Sequence, residues 1–167
     1  MKKKLSYLLF LGLTLASCGT EDGSFVEPIS LYERVGGNWD LTRMKQVDEV
    51  AAAARQGTTE QDLTGFFEGF SLTLNEDGQN NPTTFSATGA PELIPESGYW
   101  LLDHKFQNWD GSPVNILFFS DQACTQKTGQ ISVTNVPGST PTMELTLTRR
   151  SNNSPFVSYV YTLIPLN

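Results

Sequence analysis

The chain has 167 residues, 38% of them hydrophobic, and 11 basic against 18 acidic residues give it a formal net charge of −7. This length suits one domain with a substantial core. Apart from the three lysines at residues 2–4, the acidic chain has no cluster of lysine and arginine. It therefore lacks the electrostatic pattern of a nucleic-acid-binding protein, and that class is excluded.

The N-terminal segment has the three parts of a secretory signal. Residues 2–4 are all lysine, and residues 5–16 follow as a mainly apolar run of about twelve residues. A membrane-spanning helix needs roughly 20, so the pattern predicts a signal peptide over residues 1–17. Leu-Ala-Ser at positions 15–17, followed by Cys18, resembles the lipobox of bacterial lipoproteins. That resemblance implies cleavage before Cys18 and lipidation of its thiol, with no cofactor involved.

Residues 18–29 are predicted to be a flexible tether behind the lipid. They are acidic and rich in Gly and Ser, and such a segment buries too little apolar surface to fold alone. Two or three acyl chains on Cys18 anchor a protein stably in a membrane. The pair Glu21-Asp22 resembles, in a weak form, the acidic signal that sends some Gram-negative lipoproteins to the cell surface. The expected location is therefore the outer membrane, with surface display left open.

Removal of the signal peptide leaves eight basic and 18 acidic residues, a net charge near −10. Such a surface repels anionic lipids as well as nucleic acid. If Cys18 carries lipid, Cys124 has no cysteine partner. Only Lys127 lies close enough in sequence to lower the pKa of its thiol, so we expect Cys124 to be inert.

From about residue 64 onward, apolar and polar residues alternate with a period of two, which predicts β-strands separated by turns. The predicted strands are residues 39–47, 70–74, 83–87, 98–102, 114–118, 131–135, 143–148 and 156–164. We expect a single all-β domain over residues 30–167, an antiparallel up-and-down barrel of about eight strands without exposed edges. Two short helical turns are predicted: residues 30–35, with Ser30 as N-cap, and residues 48–56, which contain four consecutive alanines.

Three short motifs resemble the lipocalin-like domains of bacterial lipoproteins. Residues 31–35 form a short turn before Gly37-Asn38-Trp39, which fits the Gly-x-Trp motif. Residues 98–102 (GYWLL) are similar to the central strand of those domains, and residues 143–148 (MELTLT) to their closing strand pair. The resemblance spans nearly all of residues 30–167, but only through these motifs.

The same resemblance implies a structural role for Trp39, which closes one end of the barrel in lipocalins beneath an arginine from a late strand. Arg149 and Arg150 are the candidates for that arginine, through a cation–π contact. The arginine of the family lies on the last strand, and the last predicted strand here has none.

An eight-stranded barrel either fills its interior with side chains or leaves room for one small ligand, and both interpretations stay open. The ligand would be apolar or amphipathic, because large apolar residues occupy the alternate strand positions. The candidates for lining its cavity are Phe70, Leu72, Phe118, Val133, Leu145, Leu147 and Tyr159.

No residue constellation indicates an enzyme or a metal site. His104 is the single histidine, and adjacent strand residues point to opposite faces, so we expect no relay between His104 and Asp103. Motifs for nucleophilic hydrolysis, phosphate loops and zinc proteases are absent. The alternative to an interior ligand is a surface interaction or glycan-recognition module that uses Trp109, or a structural accessory of the envelope with a filled barrel. Nothing in the sequence indicates an oligomeric state.

Overall fold

A computed structural model describes residues 27–89 and 93–166. The predicted signal peptide, the lipidation site Cys18 and the tether as far as residue 26 lie outside the described residues. The strands are β1 (Gly37–Asp48), β2 (Glu60–Asp62), β3 (Ser71–Glu76), β4 (Pro82–Thr88), β5 (Ser97–Leu102), β6 (Val114–Phe119), β7 (Lys127–Asn135), β8 (Met143–Ser151) and β9 (Ser154–Pro165). The helices are α1 (Tyr32–Val35) and α2 (Glu49–Ala53), with one 3-10 turn at Thr64–Phe66. No helix of this part of the chain has the length and apolar character that crossing a membrane requires.

The sheet is a closed antiparallel barrel. Each of β3 to β8 pairs with the next strand along the chain, and β1 closes the ring by pairing with both β3 and β9. The predicted all-β, up-and-down barrel of eight strands is thereby confirmed. Strand β2 is not part of the eight-stranded ring and pairs only with the second half of β1. It was not predicted from the sequence because its three residues are polar and exposed and show no alternation.

The core fills the barrel from alternate strand positions. A β-bulge between Leu41 and Arg43 changes the alternation along β1, so that both Trp39 and Met44 point inward. The buried side chains of the barrel include Leu72, Leu74, Phe85, Trp100, Ile116, Phe118, Ile131, Val133, Met143, Leu145, Tyr161 and Leu163.

The last strand, β9, is buried on both faces. Tyr161 and Leu163 point into the barrel, whereas Ser158 and Val160 are buried on the outer face, where α2 packs against β9. The side chain of Asp48 starts α2 by accepting hydrogen bonds from the amides of Val50 and Ala51 at 3.0 and 2.9 Å. This arrangement accounts for the apolar residues on both faces of the predicted last strand. The helix itself is shorter than residues 48–56.

Helix α1 sits at one end of the barrel and is fixed by reciprocal hydrogen bonds at its start. The Ser30 hydroxyl and amide donate to the Glu33 carboxylate at 2.9 and 3.1 Å, and the Glu33 amide donates to Ser30 Oγ at 3.5 Å. These reciprocal bonds have the pattern of a capping box, but α1 begins at Tyr32 and its N-cap is Leu31. The predicted N-cap Ser30 therefore lies one residue before the observed cap. We call this end, with the β3–β4, β5–β6 and β7–β8 connections, the helix end. The opposite end, with the β4–β5, β6–β7 and β8–β9 connections, is the far end.

Candidate ligand cavity at the far end of the barrel

At the helix end, side chains fill the barrel and the buried indole groups have hydrogen-bond partners, whereas Glu76 Oε1 has none among the described residues. Trp39 is 4% exposed, and its Nε1 donates to the Val35 carbonyl at 2.9 Å. Trp100 is fully buried and donates to the Asn75 carbonyl at 2.9 Å. Tyr32 packs edge-on against Trp100, with ring centroids 5.6 Å apart. These aromatic side chains close this end of the barrel.

The predicted stacking of Arg149 or Arg150 on Trp39 is wrong. Trp39 pairs with Pro165 near the end of β9, whereas Arg149 pairs with Val157 near its start, so they occupy opposite ends of the barrel. The first and seventh strands of an up-and-down barrel run in the same direction. Trp39 begins the first barrel strand and both arginines end the seventh, which separates them by the full length of the barrel.

The far end differs because the ladder between β7 and β8 stops early. The two strands pair from Asn135 to Ser132, the last pair joining Ser132 to Thr146. The same register would set Gln130 opposite Thr148, but the structure forms no pair there. The two strand ends separate and leave a gap in the wall of the barrel.

A cavity of about 600 Å³ occupies this gap. Its walls come from the separated ends of β7 and β8, the end of β6 and the β4–β5 connection. Apolar walls are formed by Leu93, Ile94, Pro95, Phe118 and Leu147, and polar walls by Glu96, Thr128, Gln130, Thr148 and Arg149. The volume lies within the range of about 300–1,000 Å³ that is typical of small-molecule sites.

Among the described residues that line the cavity, Arg149 is the one with a cationic side chain. It follows Leu145 and Leu147 at alternate positions of β8, so its side chain leaves the inner face of the strand. Within the described residues, no carboxylate lies within ion-pair distance of its guanidinium. The cavity therefore combines an apolar wall with the positive charge of Arg149. The carboxylate of Glu96 adds a negative charge to the polar wall.

Tyr161 lies in the barrel beneath this end. It is fully buried between Phe70 and Phe67, whose ring centroids are 5.3 and 6.0 Å from its own. Its hydroxyl has no hydrogen-bond partner among the described residues. Burial, together with the neighbouring Tyr159, raises the pKa of Tyr161 far above its usual range, so this group is a neutral hydroxyl.

The family described as "Domain of unknown function (DUF5004)" matches residues 15–164. The chain belongs to the DUF5004 family. The closed eight-stranded barrel of this DUF5004 domain fits a lipocalin-like fold. No match is found among curated proteins or among solved structures.

The structure divides the seven predicted lining residues of the DUF5004 domain. Phe118 and Leu147 line the cavity. The others lie in or against the core: Phe70, Leu72, Val133 and Leu145 are buried, and the partly buried Tyr159 packs against them. Alternation identified which residues point inward, whereas the cavity depends on where a strand ladder ends. The sequence analysis missed the lining contributed by the β4–β5 connection, which shows no strand pattern.

Trp109 lies in the β5–β6 connection of the DUF5004 domain, at the helix end, and is 98% exposed. It contributes nothing to the core or to the cavity. Its neighbour Phe106 is also exposed, and the ammonium group of Lys105 lies 5.6 Å from the centre of the Phe106 ring. Trp109 is thus available to a partner outside the barrel.

Asp103 and His104 of this DUF5004 domain lie in the β5–β6 connection, at the opposite end from the cavity. The expectation that Asp103 and His104 point apart is wrong, because β5 ends at Leu102 and the next residues are free of the strand alternation. His104 Nδ1 lies 3.3 Å from Asp103 Oδ1. Burial alone would raise the pKa of Asp103, but hydrogen bonds from Asn115 and the proximity of His104 hold it below its usual range.

Cys124 of the DUF5004 domain lies in the β6–β7 connection, with φ of 53°. Partial burial, followed by the charge of Asp121, raises the pKa of its thiol, which is opposite to the activation of a nucleophile. Among residues 27–89 and 93–166, no three His, Cys, Asp or Glu side chains form a group that could hold a metal ion.

Proposed function

We propose that this protein is a lipoprotein anchored in the outer membrane through Cys18, and that its DUF5004 barrel binds a small apolar or amphipathic ligand without catalysing a reaction. The lipobox-like sequence before Cys18 supports the anchor. The cavity at the far end supports the ligand. One observation carries the binding role: the β7–β8 ladder stops at Ser132 and Thr146, and a cavity of about 600 Å³ fills the space that further pairing would close.

The lining supports an amphipathic ligand over a purely polar one. Phe118, Leu147 and Ile94 supply apolar surface, and Arg149 supplies a charge at the rim of the same cavity. Burial of an apolar chain contributes about 25 cal/mol per Å². A ligand with an apolar body and an acceptor at one end uses both kinds of lining.

A non-catalytic role is supported by the state of the few reactive groups. The thiol of Cys124 is held protonated, and the His104 side chain is 61% exposed on the opposite end from the cavity. Neither group lines the cavity.

Native mass spectrometry of the protein purified from its own envelope, followed by thermal shifts with fatty acids and quinones, tests the binding role. A ligand at a hundredfold excess over its Kd stabilises the fold by about 2.7 kcal/mol. Thr128→Trp, at an exposed position of the cavity wall, is expected to abolish the thermal shift. Thr84→Trp, at an exposed position of β4 away from the cavity, is the matched control. A shift that survives Thr128→Trp would place the ligand elsewhere.

Intact mass spectrometry tests the anchor separately. We expect the mature protein to lack residues 1–17 and to exceed the polypeptide mass by two or three acyl chains, and Cys18→Ala to prevent the addition. A mature protein at the membrane with an unmodified Cys18 would contradict the anchor and leave the binding role untouched.

The second candidate function is surface recognition of a glycan through Trp109. Its support is the 98% exposure of that side chain, because aromatic faces stack on sugars. In this case glycans, and not fatty acids or quinones, would shift the melting temperature, and Trp109→Ala would abolish the shift while Thr128→Trp would leave it intact.

A further inference from the structure

We propose that the helix end of the barrel rests on the lipid bilayer, and that the exposed apolar side chains of this end (Ile29, Phe106, Trp109 and Leu166) contact an uncharged lipid surface. This inference rests on the lipid anchor of the proposed function, and it adds an orientation and a contact surface that the anchor alone does not give.

The point where the chain enters the domain lies at the helix end. The Leu31 amide donates to the Lys105 carbonyl at 2.9 Å, and the Glu27 carboxylate lies 3.5 Å from the Lys105 ammonium group. These contacts fix the first described residues against the β5–β6 connection. A lipid-anchored chain therefore enters the domain beside Phe106 and Trp109.

The tether is short relative to the barrel. Glu27 is nine residue steps from Cys18, and a fully extended chain covers at most about 3.3–3.6 Å per step, or roughly 30 Å. The 12 residues of β1 span roughly 40 Å along the strand. Strands in a barrel are tilted by about 35–45°, which makes the barrel roughly 30 Å tall. A tether that is not fully stretched thus keeps the helix end nearer to the membrane than the far end.

The helix end exposes apolar side chains from three separate segments. Trp109 and Phe106 come from the β5–β6 connection, Ile29 precedes α1 and Leu166 follows β9, with exposures of 98%, 43%, 69% and 55%. The Leu166 amide donates to the Asn38 carbonyl at 2.9 Å, which holds this residue beside the start of β1. Tryptophan is enriched at membrane–water interfaces, and a glycan contact at Trp109 would leave Ile29 and Leu166 unexplained.

The charges of the helix end select the kind of lipid. Glu33, Asp77, Asp103 and Asp110 lie in α1 and in the connections of this end. The cations that oppose them are Arg34 of α1 and Lys105, whose ammonium group is already engaged by Glu27. The end is therefore negative on balance, and anionic headgroups are repelled from it. The favoured surface is zwitterionic.

The far end also exposes apolar side chains and provides the matched control. Phe66, in the 3-10 turn, is 78% exposed, so it is as available to a membrane as Trp109 is. If apolar exposure alone decided the orientation, both ends would contact lipid equally. The inference requires that only the helix end does.

Tryptophan fluorescence of the lipidated protein reconstituted in vesicles tests the orientation. Trp39 and Trp100 are buried, so the emission of the protein minus that of Trp109→Phe is the emission of Trp109. In vesicles of zwitterionic lipid with brominated acyl chains, we expect lipid bromine to quench most of the Trp109 emission. We expect no quenching of the exposed reporter in the Phe66→Trp, Trp109→Phe double variant, and weaker quenching of Trp109 when anionic lipid replaces part of the zwitterionic lipid.

Equal quenching of both reporters, or unquenched Trp109 emission that aqueous acrylamide still suppresses, would overturn the inference. A glycan that blue-shifts the Trp109 emission in vesicles where lipid bromine does not quench it would replace the bilayer with a sugar partner. Intact mass measured on the same sample separates the two failures. Missing acyl chains would refute the anchor, whereas acyl chains with unquenched Trp109 would refute the orientation alone.

Discussion

The two ends of the barrel differ in how they are closed. At the helix end, α1 covers the opening, and the buried tryptophans donate their indole N–H groups to the carbonyls of Val35 and Asn75. At the far end, the β7–β8 ladder stops, a cavity opens in the wall, and the buried Tyr161 hydroxyl has no partner in the described residues.

This difference indicates which end of the barrel stabilises the fold and which end is suited to binding. A buried donor with a partner contributes about 0.5–1.5 kcal/mol, whereas one without a partner costs about 1–3 kcal/mol. The helix end satisfies its two buried indole groups and is expected to hold the barrel together, although Glu76 Oε1 at this end has no partner among the described residues. The far end retains an unmet polar group and an unfilled volume, which a ligand or water can occupy.

The largest expected effect on stability is at the helix end. Trp39→Ala removes a buried aromatic side chain and its hydrogen bond, so we expect a loss of about 3–5 kcal/mol in the free energy of unfolding. Denaturant unfolding of the protein measures it. Trp109→Ala at the same end is the control, because an exposed side chain changes stability by no more than about 0.5 kcal/mol. Equal losses for the two variants would mean that Trp39 does not close the barrel.

The far end is not loose everywhere, and Gly98 tests its tight part. A Cβ at Gly98, which has φ of 152°, would lie 2.2 Å from the Phe119 carbonyl oxygen and 3.0 Å from the Phe85 ring. Because a backbone atom of β6 has to move, Gly98→Ala is expected to cost at least about 1–3 kcal/mol. Gly111→Ala, with φ of 75° and no atom within 4 Å of the added Cβ, should show only the smaller cost of backbone strain. The two melting temperatures make the comparison.

Tyr161 and Tyr32 differ in whether the hydroxyl group has a hydrogen-bond partner. Tyr161→Phe removes a buried hydroxyl without a partner, so stability should stay the same or rise by about 1 kcal/mol. Tyr32→Phe removes a hydroxyl that accepts from the Leu102 amide at 3.2 Å, and should lower stability by about 0.5–1.5 kcal/mol. A loss of stability in Tyr161→Phe would reveal a water or ligand bound to that hydroxyl, and Tyr161 would then be satisfied as Tyr32 is.

The smallest effect concerns pH at the helix end, where Glu76 and Asp77 are neighbours of opposite behaviour. Burial, then the charges of Glu33 and Asp77, raises the pKa of Glu76 above its ordinary 4.5. The folded protein therefore holds this proton more tightly than the unfolded chain, and stability falls as pH rises through that window. Glu76→Gln should remove this fall and stabilise the protein at pH 7.

Asp77 supplies the opposite sign. Hydrogen bonds from the Asn81 side chain and backbone lower its pKa, so its contribution is present above its ordinary pKa and is lost as pH falls. Asp77→Asn should weaken the protein at pH 7 and have less effect in acid. Urea midpoints from about pH 2 to pH 7 measure both variants, because the contribution of Asp77 is lost only below its ordinary pKa of 3.8. The same sign for the two would contradict the assignment.

The barrel could be predicted because the alternation within each strand identifies the side chains that point inward. Alternation at Leu72 and Leu74, or at Met143 and Leu145, needs no knowledge of the neighbouring strand. Strand β2 was not predictable, because Glu60-Gln61-Asp62 shows no apolar face and owes its conformation to pairing with β1.

The cavity was only half predictable for a related reason. Phe118 and Leu147 follow from alternation, but the end of the β7–β8 ladder depends on how two strands meet, which neither strand encodes by itself. The Arg149 contact with Trp39 failed because family resemblance supplied the partner. The order of the predicted strands already places Arg149 at the end of the barrel opposite Trp39. In the structure this is the end with the cavity.

The closure of the barrel by β1 and β9 has a kinetic consequence. Thr42 Oγ1 donates to the Thr162 carbonyl across 120 residues of chain, so the ring joins the earliest strand of the domain to the latest. Contacts of such long separation form slowly, because the loop-closure entropy is lost before the contact is gained. Until β9 is in place, β1 and β8 both present unpaired edges, and such edges promote aggregation. The final 12-residue strand therefore completes the ring and at the same time shields two strands from other chains.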